Sequence, residues 1–286
     1  MVRLPRALVS RSASIAIFAV LSTLVGPKAF AGSGANVVLY DHHLGEKGET
    51  EIEAYADYGR NSDGERYAAQ LYEIKHAVTD QWTTSFYLET HKINGEPWEF
   101  DGFRFENRYR LFKETTLFNP VLYLEYINKR EDAQFVREAV GRTDEEEEGE
   151  EGEGSERENE LETKLILGHD FGENLRVGFN WINEVNLKSG VWKFGYATGF
   201  TYKLFEREGL SGLTVKEMAL GFEAFGGLGD SEKGLTFDGS KTEQYIGVNL
   251  KTEFANHVEF LIGGAFGLTA DSQDAILRTQ LSYEFE

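Results

Sequence analysis

The chain of 286 residues contains no cysteine. A disulfide framework and a thiolate metal site are therefore both excluded. Prolines number only four, at 5, 27, 97 and 120, and bases are scarce, so the formal net charge is -20. That charge argues against a nucleic-acid backbone as partner. Beyond residue 31 no apolar run is long enough for a spanning helix. What the chain has in quantity is aromatic residues, 13% of the total, with 41% hydrophobic overall. This is too much apolar ring for a disordered polymer.

Residues 1–31 stand apart. They hold Arg3, Arg6, Arg11 and Lys28 and no acid, an apolar stretch from Ile15 to Val25, and Ala29-Phe30-Ala31 before Gly32. A basic start, a short apolar centre and small residues at the boundary predict a secretory signal peptide cleaved after Ala31. Residues 32–49 then read as a periplasmic lead segment, and 50–286 as one domain.

That domain alternates with period two. Phe103, Phe105, Tyr109 and Leu111 share a face against Arg104, Glu106, Arg108 and Arg110. Trp192, Phe194, Tyr196, Phe200, Tyr202 and Leu204 oppose Lys193, Gly195, Ala197, Gly199 and Lys203. A helix would mix these faces, because its period is 3.6. About twelve such segments follow one another, mostly of roughly 10 to 15 residues, longer than the usual soluble strand and suited to a tilted crossing of a bilayer. Pro97 falls in a connection and Pro120 at a strand start, where a ladder tolerates them.

Connection length alternates too. The odd-numbered connections Asn61–Glu65, Ile93–Pro97, Glu131–Glu158, Lys188–Gly190, Leu228–Ser240 and Ala270–Gln273 are mostly long or polar, whereas the even-numbered Asp80-Gln81, Lys113–Phe118, Gly172-Glu173, Glu206–Gly212 and Asn256 are mostly tight. A soluble sandwich has no reason to sort its loops by parity; a barrel inserted from the periplasm has. Trp82, Phe112, Phe118, Phe171, Phe205, Phe254 and Phe285 sit beside the short turns, with Tyr58, Tyr67, Trp98 and Trp192 beside the long loops. Two aromatic girdles are expected of a lipid-exposed barrel. The predicted fold is all-β: an antiparallel up-and-down transmembrane β-barrel of about twelve strands in the cell outer membrane.

The final strand, Ala275 to Phe285, alternates and ends on an aromatic, and Glu286 makes that aromatic penultimate. It resembles the C-terminal assembly signal of outer-membrane barrels, which implies the assembly machinery as a partner. Asp101–Phe112 and Asn119–Tyr126 resemble a group of poorly characterised Gram-negative outer-membrane barrels of porin or transporter type, loosely associated with aromatic-compound degradation. The resemblance implies location and fold first, and a transport role second.

The enclosed face carries Arg104, Glu106, Arg108, Arg110, Glu125, Lys164, Arg176, Lys193 and Lys203 as lumen-lining candidates. Two readings stay open: a lumen closed by cross-strand ion pairs, and a narrow polar pore with a basic ladder on one strand. Twelve strands fall between barrels filled by side chains and those enclosing a channel. Gly195, Gly199, Gly263 and Gly267 would leave space opposite that ladder. The tract Asp144–Glu160 holds eleven acids and one base and reads as a solvated part of the long extracellular loop 131–158. It could meet hard cations or lipopolysaccharide. The neighbouring His42 and His43 could bind a transition metal, but two ligands do not make a site. No metal, cofactor or catalytic residue is assigned. Without GxSxG or an evident serine–histidine pair, a barrel hydrolase is the third reading. A passive channel for small solutes is the first, and a non-conducting structural or surface-interaction barrel the second.

Overall fold

The structure, a computed structural model, describes residues 35–112, 116–143, 157–209 and 211–285. The expected signal peptide 1–31 and most of the acidic tract, 144–156, lie outside the described residues.

Twelve long strands close on themselves. In chain order they are β1 (Thr50–Arg60), β2 (Arg66–Thr79), β3 (Trp82–Ile93), β4 (Glu99–Arg110), β5 (Val121–Arg130), β6 (Arg157–Phe171), β7 (Leu175–Asn186), β8 (Trp192–Glu206), β9 (Val215–Asp230), β11 (Gln244–Phe254), β12 (Val258–Gly267) and β13 (Ala275–Phe285). A two-residue strand, β10 (Gly234–Leu235), pairs only with the end of β9. Each long strand is antiparallel to its neighbours in sequence, and β13 returns to β1 in an unbroken ladder from Thr50↔Phe285 to Arg60↔Ala275. Closure satisfies the backbone polar groups that an open edge would leave bare in lipid. Among the described residues no helix is long and apolar enough to cross a membrane, so any crossing is made by strands.

Period two does the sorting. Ile52, Leu88, Phe105, Leu122, Phe200, Val248 and Leu281 are exposed on the outside, whereas Glu53, Glu89, Arg104, Thr201 and Ser282 on the same strands are buried inside. Leu281 is 54% exposed while its neighbour Ser282 is 1% exposed. An outer surface this apolar, continuous around a closed barrel, is stable in a membrane and not in water.

The aromatic ends are placed mostly as expected. Trp82, Phe112, Phe118, Phe171 and Phe285 are exposed near the short turns, with Phe205 and Phe254 half-buried there. Trp98 and Trp192 are exposed near the long loops, and Lys92 lies over the Trp98 ring at 5.0 Å. Tyr67 departs from the girdle. It occupies the inward row of β2 with Ala69 and Leu71, and its hydroxyl donates to Gln273 at 2.6 Å. Strand parity, not distance from the turn, decides which way it points.

A charge on the outer band tests the orientation. Phe105→Lys, near the middle of β4, is expected to destabilise the barrel by about 2–4 kcal/mol. The measurement is denaturant unfolding in lipid vesicles, and an unchanged midpoint would contradict the assignment of this face to lipid.

Candidate functional site: a lumen filled from both ends

The inward rows enclose a lumen of mixed charge. Two segments outside the wall strands enter it. The first is residues 35–49, which the sequence predicts as a lead outside the barrel. The second is residues 131–143, the first half of the connection predicted to be extracellular.

The N-terminal segment is held through its backbone. The amides of Val37, Val38 and Leu39 donate to the Glu223 carboxylate at 2.7, 3.0 and 2.9 Å. Tyr40 and Asn180 exchange two bonds, amide to Oδ1 and Nδ2 to carbonyl, both 2.8 Å. The Ala35 amide donates to Thr201, and Arg278 donates to the Val37 carbonyl at 3.1 Å. An extended segment must place its amides somewhere. In this lumen the wall's polar side chains take the place of a neighbouring strand. Close approach is possible because the facing wall residue is glycine: a Cβ on Gly221 would lie 1.7 Å from the Ala35 carbonyl oxygen.

The loop arrives from the other end. Phe135 and Ala139 are buried, Val140 forms a bridge with Gly195, and Gly141 forms one with Gly229. A Cβ on Gly195 would lie 2.4 Å from the Ala139 carbonyl oxygen. The space expected opposite the basic ladder is thus taken by the chain itself at this position. Val38, Leu39 and Ala139 pack with Ile182, Ala197, Phe225, Tyr245, Ala265 and Ile276. The lumen is therefore not uniformly polar: on the side of β7–β13 it has an apolar core.

The two segments meet on the charged side, at Tyr40 and Arg137. The Arg137 guanidinium donates to the Tyr40 hydroxyl, to Glu125 at 2.9 Å and to Glu106 at 3.2 Å. It also lies over the Tyr87 ring, 4.2 Å from the centroid. The hydroxyls of Tyr40 and Tyr87 both donate to Glu106, at 3.1 and 2.6 Å. Next to this, Arg104 donates to Glu89 at 2.6 Å, Glu125 at 3.3 Å and Glu138 at 3.1 Å. Lys164 sits 2.9 Å from Glu162, with the Tyr40 and Tyr123 rings each 4.6 Å away.

The predicted lumen residues thus fall into two groups. Arg104, Glu106, Arg108, Glu125 and Lys164 are brought together around the meeting point. The others are dispersed. Arg110 reaches the His42 carbonyl at 3.4 Å, Arg176 binds Asp41 at 2.6 Å, Lys203 pairs with Glu206 at 2.5 Å, and Lys193 lies against Gly141. The sequence reading missed Tyr40, Asp41, Arg137 and Glu138. A signal was present: the run Val37-Val38-Leu39-Tyr40 and the residues Phe135, Val136, Ala139 and Val140 are more apolar than segments facing water need to be.

Electrostatics fix the inserted segments in one charge state. Burial alone would raise the Asp41 carboxyl, but the Arg176 guanidinium beside it holds it well below the usual carboxylate range. Burial likewise opposes ionisation of Glu138, and Arg104 and Lys164 overcome it, leaving its carboxyl well below that range. Burial pushes the Tyr40 hydroxyl up to about 12. At the short-turn end a cavity of ≈ 850 Å³ remains, lined by Glu53, Glu73, Lys75, Arg108, Arg110 and Glu284 among others. Its inner wall includes Tyr40, Phe135 and Arg137.

The structure is similar to an outer membrane channel from Pseudomonas putida F1, with a TM-score of 0.53 and 12% identity over 86% of this chain and 98% of that one. The NanC porin is matched at 0.49, with 10% identity over 81% and 98% of the two chains. The translocator domain of the autotransporter NalP from Neisseria meningitidis is matched at 0.44, with 12% identity over 85% and 90%. No protein-family model and no curated protein sequence matches the chain. At such identity the likeness concerns the fold, which is that of Gram-negative outer-membrane β-barrels. None of these proteins' names mentions aromatic-compound degradation.

Two measurements test the inserted segments. Arg137→Ala strands Glu106 and Glu125 without that partner and is expected to cost about 3–5 kcal/mol in unfolding experiments. A change below about 0.5 kcal/mol, of the size seen for ordinary surface substitutions, would contradict the buried contact. The second concerns pH. A carboxyl lowered by folding stabilises fully above its unfolded value of about 4 and loses that contribution as pH falls toward the folded value. The stability difference between the wild type and Asp41→Asn is therefore expected to persist down to about pH 5 and to shrink below about pH 4. A difference that does not shrink in acid would contradict the Asp41–Arg176 pair.

Proposed function

We propose that the protein is an outer-membrane channel for small polar solutes, closed at rest by its own segments 35–49 and 131–143. The observation that carries this reading is the way the N-terminal segment is held. Much of its attachment runs through hydrogen bonds to wall side chains, such as Glu223 and Asn180, which water can replace once the segment leaves. Its backbone pairs with a wall strand only at its end, where Gly48 and Glu49 meet Ala77 of β2, and the ladder itself closes between β1 and β13. Its departure would expose the row of Glu106, Arg108, Glu125 and Lys164 to solute. Charges of both signs facing each other across a narrow passage orient a polar or zwitterionic solute without covalent chemistry.

The filled lumen also supports the second reading, a non-conducting barrel that acts through its outer loops. The hydrolase reading has less to stand on. The histidine contacts found are to Asp170, Asp101, Thr50 and Glu284, none of which supplies a serine nucleophile. We place the acidic tract toward lipopolysaccharide and its cations, and β13 as the strand read by the assembly machinery.

Planar-bilayer recording separates the first two readings. The wild-type protein is expected to give rare, small steps, and a variant lacking residues 35–44 frequent and larger ones. Arg108→Gln in that variant is expected to shift ion selectivity toward cations. Silence in both proteins, with folding verified by heat-shifted gel migration, would overturn the channel and leave the structural barrel.

A further inference from the structure

We propose that His42, His43 and Asp170 form a site for one divalent first-row transition-metal ion, such as Zn²⁺, that ties the N-terminal segment to β6. The two histidines are adjacent in sequence, and adjacent side chains of an extended chain point opposite ways. Here the His43 amide donates to Asp41 Oδ1 at 2.7 Å, a local turn that sets the imidazoles side by side with centroids 4.2 Å apart. Both Nε2 atoms then face one oxygen from a strand 127 residues away. Asp170 Oδ2 lies 3.4 Å from His42 Nε2 and 2.9 Å from His43 Nε2. Donor atoms of the three residues all fall within 4.8 Å of one another. A tetrahedral ion with bonds of about 2.0–2.1 Å keeps its ligand atoms about 3.3–3.4 Å apart. Closing this set on an ion therefore needs shifts of well under about 1.5 Å.

The surroundings favour an ion over a bare histidine–aspartate contact. Arg176 Nε donates to Asp170 Oδ1 at 3.0 Å, so that oxygen is engaged and Oδ2 is turned to the imidazoles. This is the orienting role that partners behind a metal ligand commonly play. The Arg176 charge is in turn offset by Asp41, whose Oδ2 accepts from Arg176 Nη1 at 2.6 Å. The carboxylates of Asp41 and Asp170 offset the guanidinium charges of Arg176 and of Arg110, which reaches the His42 carbonyl at 3.4 Å. The His42 ring fits against the wall only because residue 168 is glycine; a Cβ there would lie 2.2 Å from its Nδ1. Asp41 and His43 also line the short-turn cavity, which gives an ion a path in and leaves room for water to complete its shell. Two imidazoles and a carboxylate with open positions are a donor set for Zn²⁺ and its neighbours, and a poor one for Ca²⁺ or Mg²⁺.

The test is ZnCl₂ titration by calorimetry on the folded protein lacking residues 1–31, in excess Mg²⁺ to occupy the acidic tract. Binding is read without conductance, so this site can fail while the channel stands, and the reverse. One equivalent is expected, with a nitrogen–oxygen shell containing two imidazoles by X-ray absorption. Asp170→Asn and His43→Ala should each weaken binding at least tenfold, and His257→Ala, a histidine in the same cavity, should leave it unchanged. His43 lies outside the wall strands, so its variant keeps the test valid if Asp170→Asn fails to fold. Absence of stoichiometric binding in the wild type, or equal binding in His43→Ala, would overturn the proposal.

Discussion

A charge enclosed by a lipid-facing wall must find a partner inside, because the solvent that would stabilise it has been excluded. This constraint governs the whole molecule. The outer rows are apolar, so the charged half of every strand is turned inward together. Arg278 is met by Asp57 from the neighbouring strand at 2.6 Å, and Lys251 by Glu259 at 2.8 Å. Where wall residues cannot complete the set, the chain supplies its own: Arg137 for Glu106 and Glu125, Glu138 for Arg104, and Asp41 for Arg176. The inserted segments complete a charge arrangement that the strands leave unfinished.

The same constraint explains why the filling is asymmetric. On β2–β6 the inward rows are rich in Glu, Arg and Lys, which Tyr40, Arg137 and Glu138 meet, and Phe135 packs there with Tyr67, Ala69, Leu71 and Tyr87. Tyrosine suits that border, since it brings an apolar ring for Lys164 and a hydroxyl for Glu106. On β7–β13 the inward rows carry Ile182, Phe225 and Ile276, and the residues that meet them are Val38, Leu39 and Ala139.

Strand number, order and facing were legible before any coordinates, because each rests on a local period repeated twelve times. The expected final strand, Ala275 to Phe285, coincides with β13, and the expected connections Asn61–Glu65 and Asp80-Gln81 separate β1, β2 and β3. Tyr67 shows where proximity to a strand end misleads and parity does not. The inward facing of Arg104, Glu106 and Arg108 follows from the same alternation. What fills the lumen was not legible. The partnership of Tyr40 with Arg137 spans 97 residues, and that of His43 with Asp170 spans 127. No period links such positions, and the apolar run Val37–Tyr40 marks a segment that avoids water without naming the wall residues it meets. The glycines at 195 and 221 carry the missing information, since a small residue in an inward row marks where another backbone comes close. Their meaning becomes visible only once the row has been assigned.

Amide hydrogen exchange of the folded protein lacking residues 1–31, read on the peptide spanning residues 35–44, tests most directly whether the lumen is filled by the chain's own N-terminus. With Val37, Val38, Leu39 and Tyr40 bonded to Glu223 and Asn180, exchange of that peptide is expected to be slowed by orders of magnitude and to quicken in Glu223→Ala. Exchange at the rate of an unstructured tail, with the wall strands fully protected, would contradict it.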